Sequence, residues 1–197
     1  MNLQLEEKYI YLLSIMNSNE WVAEGLIDNI GTESLVIKGS QIKCFRAYSD
    51  INNSVDSILN HILRIYSNYE EMKKFDSDVT EYQVIKSSKD YRLIRQVNNL
   101  QWPLWPRETV FEQHIFIDDN ITYIIMWSVD SGHVPINKDK YVRSIVNISG
   151  FVLVPNGNST KVYRFAHVDP SGNIPHSVVN SYSKKTADII KYLKQFS

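Results

Sequence analysis

The 197-residue chain is poor in the residues that mark several large protein classes. It has one cysteine, Cys44, which excludes an intramolecular disulfide and any cysteine-rich zinc site. Only 7 residues are glycine, which argues against folds built on glycine-rich phosphate loops. No run of about 18 apolar residues exists, so no membrane-spanning helix is expected. The first residues carry Glu6, Glu7 and Lys8 and lack a basic segment followed by an apolar one, so they do not read as a secretory signal. The formal net charge is −1, which leaves no global basic field for a dedicated nucleic-acid binder. His61, His114, His133, His167 and His176 have no metal-ligand spacing, and neither a Gly-x-Ser-x-Gly elbow nor a Cys–His pair offers a nucleophile. What is abundant is tyrosine, at 12, with 4 tryptophans. Such rings suit a half-buried sheet or an amphipathic cavity wall.

Length and composition fit one domain with a real core, since a chain of this size can bury roughly 70% of its surface. The first residues form an amphipathic helix with Leu5, Tyr9, Leu12, Leu13 and Met16 on one stripe. Strands are expected at 35–38 and 42–48, around Gly39-Ser40. Ser54 suits the N-cap of a helix carrying Val55, Ile58, Leu59, Ile62, Leu63 and Tyr66, and a helical turn around 70–74 follows. The period then changes to two, giving strands at 79–86, 91–98, 107–117, 121–129, 142–154 and 161–168. Short polar links such as Asp118-Asp119-Asn120 make most of them antiparallel neighbours. Longer connections span 99–106 and 130–140, and long loops in a compact sheet are where function tends to sit. Strand 121–129 is apolar on both sides, so the sheet is covered on both sides. The last helix, with Pro175 in its first turn and an apolar stripe of Val178, Val179, Tyr182, Ile189, Ile190, Leu193 and Phe196, is the obvious cover.

Within this frame, Pro106-Arg107-Glu108-Thr109-Val110 resembles the Pro-Arg-Asp-Phe-Val signature of the START lipid-transfer domains. Ser128-Val129, Pro135, Val142-Arg143, Gly150-Phe151 and Pro155 follow that family's order and spacing. Asp169-Pro170-Ser171-Gly172-Asn173-Ile174-Pro175 is similar to its Asp-Pro-x-Gly-x-Ile-Pro lead into the last helix. Trp21 and Lys74-Phe75-Asp76 match weaker marks, with Phe75 where the family usually has Trp. The resemblance covers nearly the whole chain. It implies an α+β helix-grip fold, a curved antiparallel sheet of about nine strands around the C-terminal helix, enclosing a lipid tunnel. The residues themselves give eight strands, so a ninth is expected between Trp21 and Ile30.

The resemblance also directs the choice of site residues. Several members carry an acid and an arginine on neighbouring strands inside the tunnel, and alignment places Gln96 and Gln113 there. A neutral amide pair avoids an orphaned buried charge and still hydrogen-bonds a lipid head. The competing reading is an ordinary outward polar position. Trp102, Trp105 and Trp127, with Tyr123 and Tyr163, are candidates for a choline-binding cage, although most aromatics in a sheet are simply core. Arg143 reads as a cavity-edge group or as a loop-anchoring ion pair, with the second preferred. Arg107 and Asp169 read as head-group contacts or as structural links, again with the second preferred. Val178 and Tyr182, on the stripe of the last helix, complete the lipid-contacting set.

The expected function is lipid binding and transfer between membranes, with one lipid, a glycerophospholipid by preference, carried in an apolar tunnel. A sterol ligand and a lipid-sensing module of a larger protein are the alternatives, and an enzyme on the same scaffold is a third class. No cofactor and no metal is expected. The expected chain is a cytoplasmic monomer that meets membranes transiently, through Lys184, Lys185, Val134 and Ile136.

Overall fold

The computed structural model describes residues 2–100, 103–130, 132, 134–175, 179 and 182–196, excepting the side chains of 182–184. Helix α1 (Leu3–Met16) opens the chain, capped by Asn2, whose Oδ1 accepts from the Leu5 N–H at 2.8 Å. Strands β1 (Val22–Ile27), β2 (Ile30–Val36) and β3 (Lys43–Ile51) follow. Strand β1 is the one expected between Trp21 and Ile30. Its hairpin turns on Asp28 and Asn29, both at positive φ, a two-residue turn of the kind that Asp and Asn favour. Ser54 does cap α2 (Val55–Ile65), and α3 (Tyr69–Phe75) comes next.

The remaining strands are β4 (Val79–Ser87), β5 (Tyr91–Asn98), β6 (Arg107–Asp118), β7 (Ile121–Ser128), β8 (Val142–Arg143), β9 (Ile145–Asn156) and β10 (Ser159–Asp169). The expected strand 142–154 is thus broken at Ser144. Two residues of β8 run parallel to the start of β6, beyond the point where β7 leaves it. Helix α4 (Tyr182–Lys194) ends the described chain. Val179 is also helical, and its N–H reaches the Pro175 carbonyl at 3.3 Å.

Among the described residues ten strands form one sheet in the order β1-β2-β3-β10-β9-β7-β6-β5-β4, with β8 beside β6. Apart from the β6–β8 pair, the neighbours are antiparallel, as expected of a helix-grip α+β fold. Helix α4 lies against β2, β3 and β10. Strand β7 shows why both of its sides are apolar. Ile124 and Met126 join the core under α4 and α2, while Tyr123, Ile125 and Trp127 join a second core with Leu5, Leu12 and Ile15 of α1. Gly150 is a backbone necessity in this layer. It has φ +149°, and a Cβ built there would lie 1.8 Å from the Ile124 carbonyl oxygen.

Candidate functional site: a cavity between the sheet and the last helix

Between the first turns of α4 and strands β6, β7, β9 and β10 a cavity of about 320 Å³ remains. The core-facing positions around it are small or polar: Thr109 on β6, Ser144 between β8 and β9, Ser149 on β9 and Ala166 on β10. Phe75, Phe111, Met126, Val146 and Ile189 supply the apolar wall.

The rim towards α3 is a chain of polar contacts. Gln96 Nε2 donates to Asn98 Oδ1 at 2.7 Å, and Asn98 Nδ2 donates to Asp76 Oδ2 at 3.1 Å. Lys185 of α4 donates to Asp78 Oδ2 at 2.5 Å and lies 3.6 Å from Asp76. A helix on one side of the opening is therefore tied to the α3–β4 turn on the other.

Arg164 on β10 is one of three cations that line this cavity, with Arg107 and Lys185. Its Nη1 donates to Ser149 Oγ at 2.7 Å, to the Gly150 carbonyl at 3.0 Å and to the Phe165 carbonyl. The guanidinium carbon lies 4.9 Å from the centre of the Phe151 ring. The group is enclosed by protein yet keeps surface open to the cavity. Burial pushes its pKa below the ordinary arginine value. Tyr66, in the same lining, is near enough to feel that charge, and burial pushes its phenol up. Arg164 was missed in the sequence because β10 mixes polar and apolar residues on both sides. The available signal was one charge in the alternating series Val162, Arg164, Ala166, Val168.

The expected site residues divide sharply. Gln96 lines the cavity, and Gln113 does not. Gln113 is fully buried beside Met126, with its Nε2 3.8 Å from the thioether sulfur, and it accepts from Arg92 Nη1 at 3.1 Å. Gln96 faces Thr109 across the β5–β6 ladder, whereas Gln113 faces Arg92. The two amides are thus four residues out of step, about 13 Å along the strand, and do not form the expected pair.

Tyr123, Trp127 and Tyr163 are on the opposite face, packed with α1, so they do not line this cavity. Trp127 is 1% exposed and stacks on His114 at 4.6 Å, while Tyr123 meets Tyr9 and Phe116. Tyr163 pairs with Tyr48 under Lys161. The alternation of the strands separates these rings from Ile124 and Met126, which rules out the cage as drawn. Trp105 is 52% exposed in the loop just before β6. Trp102, Val178 and the side chain of Tyr182 lie outside the described residues.

Arg143 anchors a loop. Its Nη2 donates to Glu108 at 2.8 Å and to the Val134 carbonyl at 3.2 Å, and Arg95 holds the other Glu108 oxygen at 2.6 Å. Val134 is buried against Leu93 and Val110, contrary to its expected exposure, and Ile136 is 53% exposed. Arg107 ties β6 to the segment before α4 by donating to the carbonyls of Pro170 and Ser171, at 2.6 and 3.2 Å. Asp169 Oδ1 accepts from the Ser171 N–H at 2.7 Å, which fixes the turn.

Among the described residues, no group of His, Cys, Asp and Glu is placed to hold a metal, and no helix is long and apolar enough to cross a membrane. Burial pushes the Cys44 thiol up to about 12, so it is not a reactive thiolate.

A sheet gripping a helix around a half-open, partly apolar cavity is an architecture suited to sheltering a small hydrophobic ligand from water. The START domain model matches residues 16–196, and the chain belongs to this family of lipid-binding and lipid-transfer domains. Its fold is similar to human StAR-related lipid transfer protein 5, with TM-score 0.81 and 16% identity over 98% of this chain and 93% of that one. It is also similar to human STARD10, with TM-score 0.78 and 19% identity over 96% and 78% of the two chains. A STAR-related lipid transfer protein from Xanthomonas axonopodis gives TM-score 0.74 and 18% identity over 90% and 98%. No curated protein matches the sequence. At these identities the structures speak for the fold, and the ligand has to be argued from the cavity itself.

Proposed function

We propose that this chain, α1 included, carries one lipid at a time between membranes, with the hydrocarbon held between the sheet and α4. The observation that carries the reading is the cavity, with Phe111, Met126 and Ile189 on its wall and a polar rim closed by Lys185 and Asp78. Each buried CH₂ contributes about 0.8 kcal/mol, so even a short chain strongly favours the enclosed state over water. Release then requires a membrane, where the chain passes between two apolar environments.

The preference for a glycerophospholipid rests on a neutral amide pair and on plentiful aromatics; Gln96 and Gln113 stand four residues out of step, and Tyr123, Trp127 and Tyr163 lie on the other face, so neither ground supports it here. The volume of about 320 Å³ lies at the low end of ligand pockets, which run from about 300 to 1,000 Å³, and favours one chain or a compact ring over two chains. A sterol is the second reading, supported by that compactness. Trp105 and Ile136, both exposed on loops at the Arg107 end of the sheet, are the proposed membrane contacts. Lys185 is engaged with Asp78 and Asp76, so it is assigned to the closed rim instead.

Transfer of labelled lipids from donor to acceptor vesicles tests the reading. Ala166→Phe, which fills the cavity, should slow transfer at least tenfold with the fold retained, while Trp127→Phe on the other face should leave it unchanged. Transfer at the wild-type rate by Ala166→Phe would rule out the cavity as the carrier.

A further inference from the structure

We infer that Arg164 is the anchor for an anionic head, a carboxylate or a phosphate monoester, of a single-chain lipid that enters the cavity head first. This deepens the lipid-carrier reading and rests on it.

The first ground is an account of hydrogens. A guanidinium carries five N–H donors. In Arg164 the two on Nη1 serve Ser149, Gly150 and Phe165. Among the described residues nothing accepts from Nη2 or Nε. Three donors in a fixed planar fork are left over, and the residue lines open space. Nη2 and Nε together are the edge that receives two oxygens of one carboxylate or phosphate.

The second ground is charge. Among the described residues no Asp or Glu forms an ion pair with Arg164. Elsewhere in the sheet Arg95 and Arg143 share Glu108 and Arg46 pairs with Glu33, while Arg107 donates to the Pro170 and Ser171 carbonyls and Arg92 to Gln113. Three acids, Asp76, Asp78 and Asp188, line the same cavity with two further cations: Lys185 holds the first two acids at the rim, and Arg107 is engaged with the Pro170 and Ser171 carbonyls. A buried cation without a partner is expensive, and a ligand bearing one negative charge removes that cost. A neutral sterol or diacylglycerol does not.

The third ground is position. Across the sheet Arg164 stands level with Phe151 and Ile124, and Ala166 stands level with Ser149 and Met126. From Arg164 to Val168 is four residues of strand, about 13 Å. Beyond Arg164, Leu153 and Val162 are fully buried in the core with α2, so the guanidinium marks the closed end. The Ser149 hydroxyl and the Tyr66 ring lie at that end, and the apolar wall runs from there to the Lys185 rim. A charged head at Arg164 therefore leaves its chain along Met126 and Phe111.

The test is calorimetric titration of the whole chain, below micellar concentrations, with three probes of equal chain length: dodecanoate, dodecyl phosphate and dodecanol. Wild type should bind at least one anionic probe about 10- to 100-fold more tightly than dodecanol, as expected for hydrogen bonds to a charged group. Whichever anion leads names the head chemistry. Arg164→Gln should abolish the preference and leave dodecanol binding unchanged, and Arg164→Lys should restore part of it. If Arg164→Gln does not fold, the wild-type preference and the Arg164→Lys titration still decide. Equal affinity for all three probes would overturn the anchor and leave the lipid-carrier reading standing. Failure to bind any probe, together with no uptake of phospholipid or sterol from vesicles, would remove the carrier reading itself.

Discussion

Beneath α1 the sheet presents Tyr123, Ile125, Trp127, Val152 and Phe165, each at most 5% exposed. Beneath α4 the same strands present Ser149, Ala166 and Arg164 around open space. One face is filled by large rings that meet edge to face or in stacks, and its α1 helix is fixed by Leu5, Leu12 and Ile15. The other is left unfilled at its centre and holds a cation that its own chain does not neutralise. The comparison separates two jobs. The α1 face gives stability to a domain whose α4 face forgoes part of it, because a packing gap and a buried cation without a carboxylate partner both cost free energy.

Gly150→Ala should damage both faces and have the largest effect. A methyl group 1.8 Å from the Ile124 carbonyl at positive φ forces the central strands apart. A loss of more than about 5 kcal/mol, or no folded protein, is expected in chemical denaturation. Trp127→Ala should cost about 3–5 kcal/mol, measured the same way, while lipid affinity per folded molecule stays the same. A large affinity change would break the separation of faces. Arg164→Met should do the reverse, removing the preference for anionic probes while stability changes by no more than about 1–2 kcal/mol, because relief of the cation's burial offsets the hydrogen bonds lost at Ser149, Gly150 and Phe165. A larger destabilisation would show that the cation is structural. Lys185→Ala should have the smallest effect. An exposed pair contributes about 0.2–1 kcal/mol, so Tm should hardly move, while stopped-flow lipid release should become a few-fold faster as α4 loses its tie to Asp78.

The fold was legible because alternation and turn chemistry are local. Asp119 and Asn120 take positive φ in the β6–β7 turn, as the tight polar link implied, and the two apolar sides of β7 showed that both faces are covered. The break at Ser144 was not legible. It depends on the parallel β6–β8 pairing and on a hydroxyl contact between Thr109 and Ser144 at 2.5 Å, which join segments far apart in sequence.

The site was harder to read for a related reason. Alternation says that Tyr123 and Met126 face opposite ways, but not which of the two meets a cavity. Aromatic abundance pointed to the wrong side, because rings fill space. The better signal was small residues at core-facing positions, Thr109, Ser144, Ser149 and Ala166, with the charges of Arg107 and Arg164 beside them on the same strands. Register completed the correction, since only strand pairing shows that Gln113 faces Arg92 and not Gln96.

Native mass spectrometry of the purified chain, after exposure to vesicles containing fatty acid, lysophospholipid, diacyl phospholipid and sterol, tests the central claim most directly. The expected result is one lipid per chain, bearing a carboxylate or phosphate, retained by Trp127→Phe and lost from Ala166→Phe. A chain that stays at its bare mass, or an adduct that Ala166→Phe keeps in full, would contradict it.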